Sequence, residues 1–234
     1  MNHNNLIFKI IDTKLSSFSL YRIYTFLNPV SYLTARKNKE LFNQYDGIFA
    51  DGSILVAAIR LLYGEKVKRR SFDMTSLAPE LFEYAEKNAK SIYIVASHQD
   101  ELEKAIGIFK SKYPRLEFAG YRNGYFDSDA DRHAEIAKII DSCPDFLIVG
   151  MGILSQEKFL LEAKNAGFNG TGFTCGGFIH QTAIEDIDYY PHWVDKYNLR
   201  FLYRMYKEKH TRKRYLQAAF IFPIVFFKDW IFSR

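Results

Sequence analysis

Short apolar runs closed by glycine, proline or small polar residues recur along this chain, with amphipathic stretches between them. Residues 47–50, 91–96, 116–121, 146–149 and 170–175 read as strands from their β-branched and aromatic content. Residues 54–63, 75–89, 101–113, 131–142 and 158–165 carry apolar positions at helical spacing. This alternation predicts an α/β fold, a mostly parallel sheet flanked by helices. Ahead of it, residues 6–11 and 19–26 are predicted strands, followed by Asn28-Pro29 and a helix over 30–43.

The chain is organised around residues 144–159, PDFLIVGMGILSQEKF. The apolar run 146–149 suits a strand covered by helices on both faces. Gly150 and Gly152 free the turn that follows, and Ser155-Gln156-Glu157-Lys158 leads into the next helix. Ligands of open α/β sheets bind just past the carboxyl ends of the strands, so this polar cluster is either a ligand edge or a solvated loop. Gly176-Gly177 places a second flexible turn on that edge. Strand 47–50 delivers Asp51-Gly52-Ser53 to a helix start, where an aspartate gains from the helix dipole and free N–H groups. Capping therefore explains Asp51 as readily as a chemical role. Gln156 is neutral, able to orient a ligand but not to act as a base, and as an edge-loop residue it is expected to add little to the core.

Charge sharpens the picture at two places. Residues 66–70, KVKRR, are either a solvated face or a collector of anionic phosphates, and Ser71-Phe72-Asp73 follows them. The net charge of +5 is modest, but Lys207, Lys209, Arg212, Lys213 and Arg214 cluster near the C-terminus against Glu208 alone. Leu199, Leu202, Tyr203 and Tyr206 form an apolar face there, and Arg200, Arg204, Lys207 and Arg214 a cationic one. With the following tail (Phe220, Ile221, Phe222, Ile224, Val225, Phe226, Phe227, Trp230), this segment fits either an element lying in an anionic membrane interface or a helix pair packed on the core. The composition shift divides the chain into a core, residues 1–192, and a basic amphipathic helical appendage, residues 193–234.

Other classes find less support. The longest apolar run, 218–227, is shorter than the ~20 residues of a spanning helix and is broken by Pro223. No signal-peptide pattern opens the chain, and Cys143 and Cys175, outside any CxxC or zinc spacing, suit a reduced cytosolic compartment. His98, His133, His180, His192 and His210 show no ligand spacing, so no metal site is predicted. A GxGxxG on the first βα turn is missing, which argues against a dinucleotide enzyme, and no nucleic-acid motif accompanies the cations.

The ordered set Ala50-Asp51-Gly52, Phe72-Asp73, Tyr113-Pro114, Gly124-Tyr125-Phe126, Pro144-Asp145 through Gly152 to Gln156-Glu157-Lys158, Gly176-Gly177 and Leu202-Tyr203-Arg204 resembles the WecG/TagA/CpsF family of bacterial glycosyltransferases. The resemblance implies a Rossmann-like α/β core and metal-independent, inverting transfer of a hexose or N-acetylhexosamine from a UDP-sugar to an undecaprenyl-diphosphate-linked saccharide. The enzyme would sit peripherally on the inner face of the cell membrane and build a capsule, exopolysaccharide, O-antigen or teichoic acid. It implies Asp51 as base and Gln156 as a second active-site residue. Arg204, Arg214 and Arg212, with Gly152, Gly176 and Gly177, are expected at the donor diphosphate. Thr25, Asn28 and Asp73 are expected in the acceptor or sugar pocket, and Lys207, Lys209, Lys213, Phe222, Phe226 and Trp230 at the membrane. A homo-oligomer is compatible with this reading.

Departures from the family pattern bear on donor contacts more than on the fold. Phe26 stands where members carry a threonine, with Thr25 beside it, and Leu154-Ser155 replaces the proline before Gln-Glu-Lys. Gly176-Gly177-Phe178-Ile179-His180 replaces Gly-Gly-Ser/Thr-Phe-Asp, and Tyr189-Tyr190-Pro191 replaces Arg-Ala-Pro. A second appendage arginine is shifted to Arg212, with Thr211 at its place. An inactive membrane-bound scaffold is the competing reading, and UDP release with a lipid-linked acceptor separates the two.

Overall fold

Six strands, β1 (Arg22–Leu27), β2 (Gly47–Ala50), β3 (Ser91–Ala96), β4 (Glu117–Arg122), β5 (Phe146–Gly150) and β6 (Thr171–Thr174), form one sheet in the order β2-β1-β6-β5-β3-β4. Every pairing is parallel, so all carboxyl ends lie on one edge. These features come from a computed structural model that describes residues 6–11, 21–185, 194, 199–207 and 212–232. β2, β5 and β6 are buried throughout, as helix-covered parallel strands require, whereas edge strand β4 alternates between exposed and half-buried.

The connecting helices are α1 (Leu6–Ile11), α2 (Pro29–Ala35), α3 (Lys39–Asn43), α4 (Ser53–Tyr63), α5 (Leu77–Lys87), α6 (Gln99–Lys112), α7 (Asp129–Asp141), α8 (Ser155–Ala166) and α9 (Phe178–Glu185). A short basic helix, Arg200–Lys207, and the C-terminal helix, Arg212–Ile231, follow. One sheet face, with Ile92, Ile94, Phe146, Ile148 and Phe173, packs on Leu81, Phe82, Phe109 and Phe178 of α5, α6 and α9. The other face, with Tyr93, Val95, Leu147 and Val149, packs on Ile136, Ile139, Phe159 and Leu160 of α7 and α8. α8 approaches β6 closely because position 172 is glycine: a Cβ there would lie 2.5 Å from Leu160 Cδ1.

Several expectations are corrected. Residues 6–11 form a helix, not a strand: Leu6, Ile7 and Ile10 are buried at the i, i+1, i+4 positions of one helical face, which packs beside β2. The helix expected over 30–43 is two helices, α2 and α3, with Asn38 Nδ2 donating to Thr34 O across the break (2.9 Å). α9 was not predicted, because the eight residues after the glycine pair carry only a weak amphipathic period. α8 begins at Ser155, so Gln156 and Glu157 sit in a helical first turn rather than in a loop.

The C-terminal helix joins the core rather than standing apart from it. Phe222 and Phe226, expected at the membrane, are 2% and 1% exposed and meet the Tyr32 ring at centroid distances of 5.6 and 5.3 Å. Burying each such side chain stabilises the docked helix by roughly 1.5–3 kcal/mol, which explains their placement. Asp229 then accepts from Arg36 Nε (2.9 Å), Arg36 Nη2 (2.8 Å) and Tyr32 Oη (2.7 Å). Trp230 is half-buried and packs on Phe227, with centroids 5.3 Å apart. The opposite helix face exposes Leu216, Phe220, Ile221, Ile224, Phe227 and Ile231.

Candidate active site

A cleft of about 1050 Å³ runs along the carboxyl edge of the sheet, walled by the strand-end turns and by the two appendage helices. It gathers Asn28, Asp51, Asp73, Gly152, Gln156, Gly176, Gly177 and Arg214 from the expected set.

Asp51 follows β2 directly, and its N–H donates to Leu27 O (2.8 Å). The N-cap position of α4 belongs to Gly52, whose φ of +97° an L side chain rarely adopts. Asp51 therefore stands just outside the cap position, with its side chain 31% exposed and its Oδ1 4.0 Å from Arg69 Nε. Arg69 comes from the basic stretch and faces the cleft, which decides that stretch against a purely solvated face at this position. Its Nη2 donates to Ser71 Oγ (2.5 Å) and Asp73 Oδ2 (3.3 Å), while its buried Nε makes no hydrogen bond. Asp73 also accepts from Ser71 Oγ (2.6 Å) and from Thr75 N and Oγ1 (2.9 and 2.6 Å). Those bonds hold the 71–76 turn, so Asp73 is more tightly engaged than a sugar-pocket residue needs to be.

Gln156 is 6% exposed and bridges two elements: its Nε2 donates to Glu157 Oε1 (2.9 Å), and its Oε1 accepts the N–H of Gly176 (3.1 Å). Gly176 has φ +56° and Gly152 φ +78°, so both turns use backbone that glycine adopts freely. Behind Gln156, Glu157 is fully buried. Its Oε1 also accepts from Thr25 Oγ1 (2.9 Å) and its Oε2 from the N–H of Leu154 (2.6 Å). Thr25 in turn shares a hydrogen bond with Thr174 Oγ1 (2.9 Å), and Tyr45 Oη donates to Glu157 O (2.9 Å). Burial pushes the Glu157 carboxyl above its ordinary value, and the bonds from Gln156 and Thr25 only partly oppose this.

Thr25, expected in the sugar pocket, thus points into the protein at 0% exposure and ties β1 to α8 and β6. Asn28 borders the cleft, but its Oδ1 caps α2 through Val30 N and Ser31 N (2.9 and 3.0 Å). Arg212, expected at a diphosphate, instead donates to the carbonyls of Met205 (2.7 Å) and Tyr206 (3.3 Å), closing the short basic helix as cations at helix C-termini do. Arg214 is exposed and lines the cleft. Arg204 lies in the short basic helix, and its side chain, like the whole of Lys209, falls outside the described residues. Lys207 and Lys213 are exposed.

On the β3 side, the cleft wall carries residues for which no site role was expected. Glu101 of α6 accepts from Ser97 Oγ and pairs with His180 Nδ1 (2.7 Å), and His98 stacks on Tyr125 (4.2 Å, 15°). Glu157 had a readable signal in hindsight: a glutamate at the third helical position reaches back to the N–H before the helix. The Glu101–His180 pair joins residues 79 apart and had none. Among the described residues, no three His, Cys, Asp or Glu side chains converge to hold a metal ion, and no helix is long and apolar enough to cross a membrane.

The all-parallel sheet with a cleft along its carboxyl edge is the arrangement of a Rossmann-like α/β protein that takes its ligand at the strand ends. The glycosyl transferase WecG/TagA/CpsF family model matches residues 4–234, and the chain belongs to that family. A Shigella boydii protein is 35% identical over 205 residues, covering 88% of this chain and 85% of its own; it is named UDP-Gal:alpha-D-GlcNAc-diphosphoundecaprenol beta-1,4-galactosyltransferase. A Bacillus subtilis relative is 25% identical over 210 residues, with 88% and 77% coverage. A Staphylococcus aureus relative is 27% identical over 180 residues, with 76% and 68% coverage. Both carry the name N-acetylglucosaminyldiphosphoundecaprenol N-acetyl-beta-D-mannosaminyltransferase.

Proposed function

We propose that this glycosyltransferase moves a hexose or N-acetylhexosamine, with inversion and without a metal, from a UDP-sugar to an undecaprenyl-diphosphate-linked saccharide in the synthesis of a bacterial surface polysaccharide. The observation that carries this reading is the meeting of Asp51, Gln156, the glycine turns and Arg214 around one cleft. Asp51 takes the proton of the acceptor hydroxyl as its oxygen bonds to the anomeric carbon, and the bond to the diphosphate breaks on the opposite face. UDP leaves with the bonding electron pair. Arg214 and Arg204 meet the growing charge, with arginine offering the paired contacts that suit a diphosphate, and Gly152, Gly176 and Gly177 let the backbone approach it closely. Gln156, fixed between Glu157 and Gly176, orients the sugar. Attachment is peripheral, on the inner membrane face, through Lys207, Lys213 and the exposed apolar face of the C-terminal helix. Phe222 and Phe226 act as its anchors in the core.

The relatives are named for different sugars, galactose and N-acetylmannosamine, so the test is a donor panel. UDP-galactose, UDP-N-acetylglucosamine and UDP-N-acetylmannosamine are each supplied with N-acetylglucosaminyl-diphosphoundecaprenol, and UDP release is followed. Release that needs both one donor and the acceptor supports transfer. Absence of release with every donor supports the scaffold instead.

A further inference from the structure

We propose that the core carries a membrane contact of its own, the outward face of α4 with Lys66 and Lys68, and that this contact turns the mouth of the cleft toward an anionic bilayer. The inference rests on the reading of a lipid-linked acceptor and peripheral attachment given above, and adds a second point of contact to it. α4 has two unlike faces. Leu55, Val56 and Ile59 are buried, whereas Ile54, Ala57 and Leu61, at i, i+3 and i+7, are exposed on the opposite side, Leu61 by 83%. One exposed leucine is ordinary on a protein surface. This stripe, however, has a direction. Ile54 lines the cleft three residues after Asp51, and Leu61 lies about 10 Å further along the helix.

Cations sit at its far end. Gly64, at φ +72°, ends α4, and the chain returns far enough for the Arg60 guanidinium to donate to Val67 O from Nε (3.0 Å) and Nη2 (2.7 Å). Those two bonds hold residues 66–68 beside the last turns of α4. Val67 packs against the apolar cluster beneath, and Lys66 and Lys68 on either side of it are exposed. The C-terminal helix stands next to α4: Tyr63 meets Phe226 with ring centroids 6.1 Å apart, and Pro223 lines the cleft with Ile54. Two neighbouring helices at the cleft thus each expose apolar side chains with lysines close by. An apolar face bordered by lysine is the composition of an element that lies in an anionic interface. Attachment through the C-terminal helix alone would leave the core free to roll about that helix. A second contact on α4 removes this freedom and keeps Asp51 where a lipid-held sugar arrives.

The test uses the full chain, vesicles of phosphatidylglycerol and phosphatidylcholine carrying N-acetylglucosaminyl-diphosphoundecaprenol, and a short-chain soluble analogue of that acceptor. Lys66→Gln with Lys68→Gln should weaken sedimentation with the vesicles by about fivefold per lysine at low salt, a loss that fades as salt rises. Leu61→Ser should weaken it at every salt concentration, and melting temperatures should match the parent's because all three side chains are exposed. With vesicles in excess, so that each variant is fully bound, turnover on the vesicle-held acceptor should still fall below the parent's, while turnover on the soluble analogue is unchanged. Vesicle binding and vesicle turnover equal to the parent's in both variants overturns this inference alone. An equal loss on the soluble analogue also overturns it, and makes these lysines contacts for the substrate phosphates. A parent that does not sediment with the vesicles overturns the peripheral reading and the inference with it.

Discussion

Asp51 and Glu157 are both carboxylates on the same sheet edge, and their surroundings give them opposite work. Glu157 is fully buried and accepts from Thr25, Gln156 and Leu154 N, a knot that joins β1, β6 and α8. Asp51 is about a third exposed, borders the cleft, and has Arg69 4.0 Å away. A carboxylate enclosed by three donors cannot reach a substrate, whereas one on an open wall can exchange its partner for a sugar hydroxyl. Proximity to the chemistry does not separate them, since Gln156 touches the buried one and lines the cleft as well.

The comparison breaks most sharply at Asp51. Asp51→Asn should lower turnover by about 10²–10⁴-fold, the scale of a positioned acid–base group, with little change in melting temperature because Gly52 holds the cap position. Asp73→Asn should cost stability, since both its oxygens hold the 71–76 turn. Near-normal turnover in Asp51→Asn together with none in Asp73→Asn would move the base to Asp73.

Glu157 should fail in the other direction. Glu157→Ala strands three buried donors and should destabilise the fold by on the order of 3 kcal/mol or more, read by urea denaturation. Its pH dependence carries a sign. Burial raises the folded-state value above the ordinary 4.5, so the fold favours the protonated acid. That contribution is complete below 4.5 and is lost as pH rises through the raised value. Glu157→Gln does not titrate. Its melting temperature should therefore gain on the parent's between pH 4.5 and neutrality, and a constant gap would show that Glu157 stays ionised throughout.

The contrast between the two carboxylates also marks what could be read from sequence. Alternating periods located five of the strands to within about two residues, because a buried strand and an amphipathic helix leave local signatures. Asp51, Gln156 and the glycine turns were legible because they lie at strand ends, where the topology itself collects them. Thr25 and Glu157 are 132 residues apart, and Arg36 and Asp229 are 193 apart, so neither pairing has a local trace. The six residues of α1 are too few for content to separate strand from helix. Phe222 and Phe226 looked like membrane residues because hydrophobicity alone does not say which apolar surface a side chain meets.

Gln156 tests the boundary between the two environments. Expected to be a mere edge residue, it is nearly buried and makes two hydrogen bonds, so Gln156→Ala should cost roughly 1–3 kcal/mol of stability as well as turnover. Assay well below the melting temperature separates the effects. Turnover that recovers fully on cooling would assign Gln156 to the Glu157 knot alone.

The smallest effects belong to the C-terminal helix, where the same division between enclosed and open side chains repeats across one helix. Phe222, Phe226 and Asp229 face the core, while Phe220, Ile224 and Phe227 face outward. Removing residues 218–234 would therefore test folding rather than attachment. Phe220→Ser with Ile224→Ser should instead leave melting unchanged and reduce sedimentation with anionic liposomes, because both side chains are more than two-thirds exposed. Lys207→Gln and Lys213→Gln should each weaken attachment by about 1 kcal/mol, a loss that fades as salt rises, since surface cations act on anionic headgroups only within a Debye length. Turnover on a soluble acceptor should be spared in all three variants. Liposome binding unchanged by the serine pair would mean that the outward face meets another protein surface, and salt-independent binding in the lysine variants would remove the headgroup contact from the reading.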